Sequence, residues 1–196
     1  MSDRDSFIEE VTEEVRRDRL FALMRRYGWI AVLAVMLLVG GAAFNEYRKA
    51  QARAEAQAFG DAILAALEIE DAQDRIDALA AISPPDSDGQ AILSLLTAAE
   101  EASADRPAQA VQRLSALAGE SEVPQIYRQI ARFKALSRSN AGLSVEERRT
   151  GFEALATPGQ PLRALAEEQL ALIEIETGDT DAALARLQAL IEDAEA

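Results

Sequence analysis

The sequence predicts an all-α protein in which one membrane-spanning helix continues into about four helical hairpins. Three observations predict it. Tyr27 to Phe44, YGWIAVLAVMLLVGGAAF, is an uncharged apolar run of eighteen residues. The chain after it is rich in Ala, Leu, Glu, Gln and Arg, all strong helix formers, and its six prolines fall between the expected helices or at their first residue. A short apolar pattern then recurs four times at intervals close to the length of one helix-turn-helix unit.

Residues 1–26 form a charged tail, expected to be helical and cytoplasmic. Ser6-Phe7-Ile8-Glu9 has the form of a capping box, with Ser6 capping and Glu9 reaching back. Phe7, Val11 and Val15 recur at i, i+4 and i+8 with Ile8 beside them, a narrow apolar stripe. Glu13 and Arg17 add a stabilising i, i+4 pair. Such a helix either docks on a partner or membrane surface, or frays without one.

Residues 27–44 form the expected membrane span. Eighteen helical residues reach about 27 Å, against ~30 Å of bilayer hydrocarbon. Eight of them are Val, Ile, Leu or Phe, which favour insertion by about 2 to 5 kcal/mol together. Arg25, Arg26, Tyr27 and Trp29 at one end, and Phe44 and Tyr47 at the other, suit the two membrane interfaces. Gly41 and Ala43 could serve a signal-peptide cleavage site. However, 26 residues precede the run, and it exceeds the roughly 7–15 apolar residues of a signal peptide. It reads as an uncleaved anchor. Arg16, Arg17, Arg19, Arg25 and Arg26 precede it, while Arg48, Lys49 and Arg53 follow, so the N-terminus is expected in the cytoplasm. The small residues Gly40, Gly41 and Ala43 are candidate contacts for a second membrane helix; simple tolerance of small residues in lipid explains them equally well.

Residues 45–196 form the remaining domain, whose first helix should continue from the anchor through Leu67. Ala52, Ala56, Phe59, Ile63 and Leu67 fall on one face of it, and Gly60 weakens it by roughly 1 kcal/mol relative to Ala. Four segments then align: Ile76 to Ile82, Val111 to Leu117, Phe152 to Pro158 and Leu184 to Leu190. Each has an apolar residue followed three positions later by Leu79, Leu114, Leu155 or Leu187. Helices are expected upstream at 45–67, 91–102, 124–138 and 161–177, with breaks at Pro84-Pro85 and Pro158-Gly159. In the last unit Ala171 and Ala183 allow close helix approach, Gly178 can take the left-handed cap, and Asp179 or Thr180 can start the next helix. Unit two repeats the alanines as Ala98 and Ala110 but has Asp105-Arg106-Pro107 at the turn; units one and three place Arg75 and Gly151 at the small-residue site.

Composition narrows the function. Residues 1–60 carry nine basic and nine acidic residues, so the net charge of −14 belongs entirely to the remainder. Such a domain repels nucleic acid and anionic headgroups, and its acidity also keeps it soluble. Without Cys there is no disulfide framework; without His the usual triads and most zinc sites are gone. Asp86-Ser87-Asp88-Gly89 fails as a calcium loop, because Pro84 and Leu95 would occupy the positions that need carboxylates. The paired acids Glu100-Glu101, Glu146-Glu147, Glu167-Glu168 and Glu174/Glu176 are expected to be solvated helix faces, and no glycine-rich phosphate loop is present. The expectation is therefore no enzyme, no metal, no cofactor and no small-molecule substrate.

Leu170-Ala171, Gly178-Asp179 and Ala183 resemble the tetratricopeptide pattern. The fold class is thus a single transmembrane helix continuing into a short tetratricopeptide-like solenoid of about four units. Phe7 to Glu14 (FIEEVTEE), Tyr27-Gly28-Trp29 and Leu170 to Leu190 (LALIEIETGDTDAALARLQAL) extend the likeness over nearly the whole chain. The chain resembles the bacterial family of tetratricopeptide-like, membrane-anchored ancillary subunits of the Sec translocon. That resemblance implies an inner-membrane protein with a periplasmic scaffold domain, placed beside the channel and linking it to periplasmic chaperones or emerging chains. Candidate contacts beyond the membrane are Tyr127 and Arg128, on a concave acidic side of the repeats. An accessory or assembly subunit of another inner-membrane complex, such as a respiratory one, shares these features. A carboxylate-based enzyme such as a glycosidase would need a deep cleft with two acids. Leu184, Leu187, Leu190 and Ile191 form an apolar strip on the final helix, part of which is expected to be exposed in this sequence, either because further residues that would cap it are missing or because another protein covers it.

Overall fold

The computed structural model describes the backbone of residues 3–138 and 142–195, and the side chains of 24–30, 32–138 and 142–193. These residues form α1 (Asp3–Leu67), α2 (Ala72–Ala81), α3 (Ser87–Ser103), α4 (Pro107–Gly119), α5 (Gln125–Leu136), α6 (Val145–Leu155), α7 (Arg163–Glu176) and α8 (Thr180–Glu195). No strand occurs among them, so the all-α class holds. The chain divides into two compact units, Met1–Ala54 and Glu55–Ala196.

The first unit is the body of α1. No proline or cap interrupts the helix between the apolar run and Leu67, as the composition of 45–67 leads one to expect. Among the described residues α1 is the one helix long and apolar enough to cross a membrane. The described large apolar side chains between Tyr27 and Tyr47 are exposed: Trp29 is 63% exposed and Leu38 74%. A helix apolar around its whole circumference is stable only when something apolar surrounds it. The Arg26 guanidinium sits 5.8 Å from the centre of the Tyr27 ring, an arrangement suited to a membrane interface. The helix is already formed at Asp3, ahead of Ser6, so Ser6 does not start it. Side chains of the stripe Phe7, Val11 and Val15 lie outside the described residues.

In the second unit each helix packs on the next in sequence from α2 to α8, and α3 also meets α5. The apolar interior falls into three clusters. Ile63, Ala66, Leu79 and Leu93 form one; Ala91, Ala98, Ala110, Leu114 and Ala131 belong to a second; Leu136, Phe152, Leu155, Leu170 and Ile173 to a third. Phe133 meets Phe152 edge-on at 5.6 Å, a favoured aromatic geometry.

Caps reveal the register. Asp71 accepts from the N–H groups of Gln73 and Asp74 at 2.8 and 3.0 Å and starts α2. Arg106 precedes α4, where Pro107 at the first position removes a donor that would otherwise lack a partner. Ser144 and Glu147 form a reciprocal capping box on α6. Asp179 accepts from Ala182 at 3.2 Å ahead of α8. These four positions stand 35, 38 and 35 residues apart. Eight residues beyond them lie Leu79, Leu114, Phe152 and Leu187, so the register passes through Phe152; Leu155 is buried one turn further on. Four residues beyond them lie Arg75, Ala110, Arg148 and Ala183. Arg148, not Gly151, therefore shares the position of Arg75. Ala110 and Ala183 are 0% and 1% exposed where their helices cross.

The pattern alternates, and two hairpins repeat after 73 residues. Asp105 and Gly178 mark it at the backbone: both have positive φ, 59° and 86°, immediately before the caps of α4 and α8. Gly151 answers a separate demand, because a Cβ there would lie 2.5 Å from Leu136 Cδ1.

Candidate functional site: two equivalent grooves

Two grooves lie in the second unit at positions related by the 73-residue shift. The first, about 700 Å³, lies between α2, α3 and α4; the second, about 560 Å³, lies on α7 and α8. Both are built around one ion pair. Glu101 on α3 is buried at 4% exposure, and its Oε1 accepts from Arg113 Nη2 at 2.6 Å and Nε at 3.0 Å. Glu174 on α7, 5% exposed, accepts from Arg186 Nη2 and Nε at the same 2.6 and 3.0 Å. The local reason is helical spacing. Each glutamate lies three residues beyond the small Ala98 or Ala171, and each arginine three beyond Ala110 or Ala183. The alanines bring the helix axes close enough for the longer side chains one turn on to meet. Neither Glu101 Oε2 nor Glu174 Oε2 has a hydrogen-bond partner.

The surroundings of the two pairs differ. In the second groove Arg186 also donates to Glu167, and Arg163 is paired with Asp193, so two more ion pairs join α7 to α8. The hydrogen bond to Glu174, aided by Glu167, holds the Arg186 guanidinium charged far above its usual range. Asp193 raises Arg163 in the same way. In the first groove the matching positions are Ser94 for Glu167, Gln90 for Arg163 and Glu120 for Asp193. Neutral Gln90 and Ser94 cannot form either ion pair, so this groove is not bridged there. Gln109, Gln112 and Gln73 add further amides, and Gln73 donates to Asp77 at 2.7 Å while accepting from Arg106.

The other half of each repeat carries a second arginine motif. Arg75 on α2 reaches Glu100 on α3 at 2.5 Å and the carbonyl of Ile69 at 2.6 Å. Its counterpart Arg148 on α6, almost fully buried, reaches Glu176 on α7 at 3.0 Å. In both cases an arginine ties the second helix of one hairpin to the first helix of the next.

The candidate contacts expected from the sequence are placed separately. Gly40 and Gly41 have open space where a side chain would stand, and Ala43 is exposed on the same helix. Tyr127 is half-buried against the second apolar cluster. Arg128 points elsewhere, lining a hollow of about 250 Å³ with Gln125, Gln129 and Arg132. Among the packing residues Leu79, Leu114, Leu155 and Ala171 are buried, Leu187 is half-buried, and Gly178 is exposed at its turn. Leu184 and Ile191 on the last helix are 54% and 60% exposed. The grooves themselves were not anticipated. Their signal was present, since Glu101 and Arg113 recur as Glu174 and Arg186, but single-hairpin alignment hides a period of two hairpins.

Chemically the first groove offers donors and acceptors along a channel, without a nucleophile beside a base. Among the described residues no three His, Cys, Asp or Glu converge as a metal ion requires. The chain matches no protein-family model, no curated protein and no solved structure.

Proposed function

We propose that the chain is a non-enzymatic, membrane-anchored scaffold on the periplasmic side of the bacterial inner membrane. In this reading it is ancillary to the Sec translocon and links the channel to periplasmic chaperones or emerging chains. The observation that carries it is the continuity of α1, whose apolar span and first domain helix are one uninterrupted element. A domain tethered in this way works at high effective concentration near its partner, so weak contacts suffice. The cap spacing of 35, 38 and 35 residues supports reading the hairpins as a tetratricopeptide-like solenoid. The arginines before Tyr27 support a cytoplasmic N-terminus. The choice of partner rests on the resemblance in FIEEVTEE and in Leu170 to Leu190. Purification from native membranes in mild detergent tests it. Translocon subunits should accompany the chain; exclusive recovery of a respiratory or other inner-membrane complex would replace this reading with that of an accessory subunit.

A further inference from the structure

We infer that the hollow beside α5 binds a phosphate group, as inorganic phosphate or a phosphomonoester, through Arg128 and Arg132. In the acidic second unit Arg75, Arg113, Arg148, Arg149, Arg163 and Arg186 each meet a carboxylate. Arg128 and Arg132 make no ion pair among the described residues. They stand four residues apart on α5 and share one face of it, where like charges repel. Gln125, Arg128, Gln129 and Arg132 together follow the i, i+3, i+4, i+7 spacing of a single helix face. The apolar face of α5, with Tyr127, Ala131 and Ala135, packs into the second apolar cluster. The repeat does not demand the polar one. At the same positions 73 residues earlier the chain has Ala52, Glu55, Ala56 and Phe59.

The hollow has the size and the donors for such a group. Its volume is about 250 Å³, with Leu155 of α6 and Gln160 among its walls and no carboxylate in its lining. That lies below the roughly 300–1,000 Å³ of ordinary ligand pockets, so a compact anion fits and a whole nucleotide does not. Gln129 donates to Gln160, which ties α5 to the segment before α7 and fixes one wall. Arg128 is half-buried, and its Nε is buried without a partner. A charge held in this way without a countercharge favours the arrival of an anion. Pro124 gives α5 no side-chain cap and the first turn holds no acid, so the positive end of the helix adds to the attraction. The number of donors separates the two common oxyanions. One guanidinium fork satisfies both oxygens of a carboxylate, whereas two forks with the Gln125 and Gln160 amides match the larger acceptor set of a tetrahedral phosphate. This site goes beyond the scaffold reading and does not rest on it.

The test uses the full chain in maltoside micelles, which contain no phosphate. Inorganic phosphate at about 20 mM should raise the melting temperature by about 3 °C over chloride at equal ionic strength. Glycerol 3-phosphate should match it, and acetate should not. Arg128→Gln with Arg132→Gln breaks no ion pair, so it should leave the melt in chloride unchanged and remove the phosphate shift. Gln125→Glu places a carboxylate at the start of α5, where the helix end favours it, and should remove the shift by supplying the hollow with its own anion. This second variant keeps the test decisive if the double arginine variant does not fold. Phosphatidic acid in place of phosphatidylcholine in the micelles separates the two sources of the group. Loss of the soluble shift there assigns the site to a lipid headgroup, and its persistence to a soluble phosphate; both outcomes support the site. No difference between phosphate and chloride, an equal shift from acetate, or a shift that survives the substitutions would overturn the inference.

Discussion

Asp105 holds the left-handed backbone conformation, φ 59°, that Gly178 adopts 73 residues later at φ 86°. An L-residue there is strained by about 1–2 kcal/mol, less for Asp than for others, while glycine is not. The same turn is thus made by two different residues, and substitution should reveal it. Asp105→Val and Gly178→Val should each cost about 1–3 kcal/mol. Asp105→Gly should stay within about 0.5 kcal/mol, because relief of strain is offset by greater freedom in the unfolded chain. Thermal melts followed by circular dichroism decide it. A large loss from Asp105→Gly would mean that the Asp side chain, rather than the backbone, makes the turn.

The two glutamate–arginine pairs should behave alike. Removing Arg113 or Arg186 leaves Glu101 or Glu174 buried without a countercharge. Since each arginine is about one-third exposed, the loss is expected at about 1–3 kcal/mol, below that of a fully buried pair. Replacing both partners by leucine should recover most of it. A double-mutant cycle measures this. Additive losses would show that neither pair is coupled.

Close packing is testable at Gly151 and Ala183. Gly151→Ala would drive its Cβ into Leu136, which is 8% exposed and cannot swing away freely. Ala183→Leu would overpack the α7–α8 crossing. Each should cost about 1–3 kcal/mol in denaturant melts. Neutral results would contradict the crossing geometry.

Acid should unfold the second unit partly through its caps. The N–H groups of Asp74 and then Gln73 hold the Asp71 carboxyl below its ordinary 3.8, and the Ser144 hydroxyl and N–H hold Glu147 below 4.5. Both folded-state values are depressed, so their contribution is complete above the ordinary carboxylate range and is lost as pH falls through it. The melting temperature should decline below about pH 5. Asp71→Asn, which keeps an acceptor but does not titrate, should make that decline shallower. An unchanged slope would remove Asp71 from the account.

Much of this was legible because it rests on local chemistry. The apolar run of 27–44, the unbroken helix formers after it and the turn at Gly178 are each decided within a few residues. The buried alanines at 98, 110, 171 and 183 were legible as well, because their spacing repeats within one hairpin. Alignment slipped at α6, where Phe152-Glu-Ala-Leu155 offers two apolar residues in the same three-residue step and only the Ser144 cap selects between them. The exchange of Glu167 and Arg163 for Ser94 and Gln90 acquires meaning only once helices 73 residues apart are superposed.

The central claim, a tethered scaffold beside the translocon, is tested most directly by photocrosslinking in native membranes from Gly41 in the anchor and Arg128 in the domain. The account predicts crosslinks to translocon subunits from Gly41 and to chaperones or emerging chains from Arg128. Exclusive crosslinks to a respiratory or other membrane complex from both positions would contradict it.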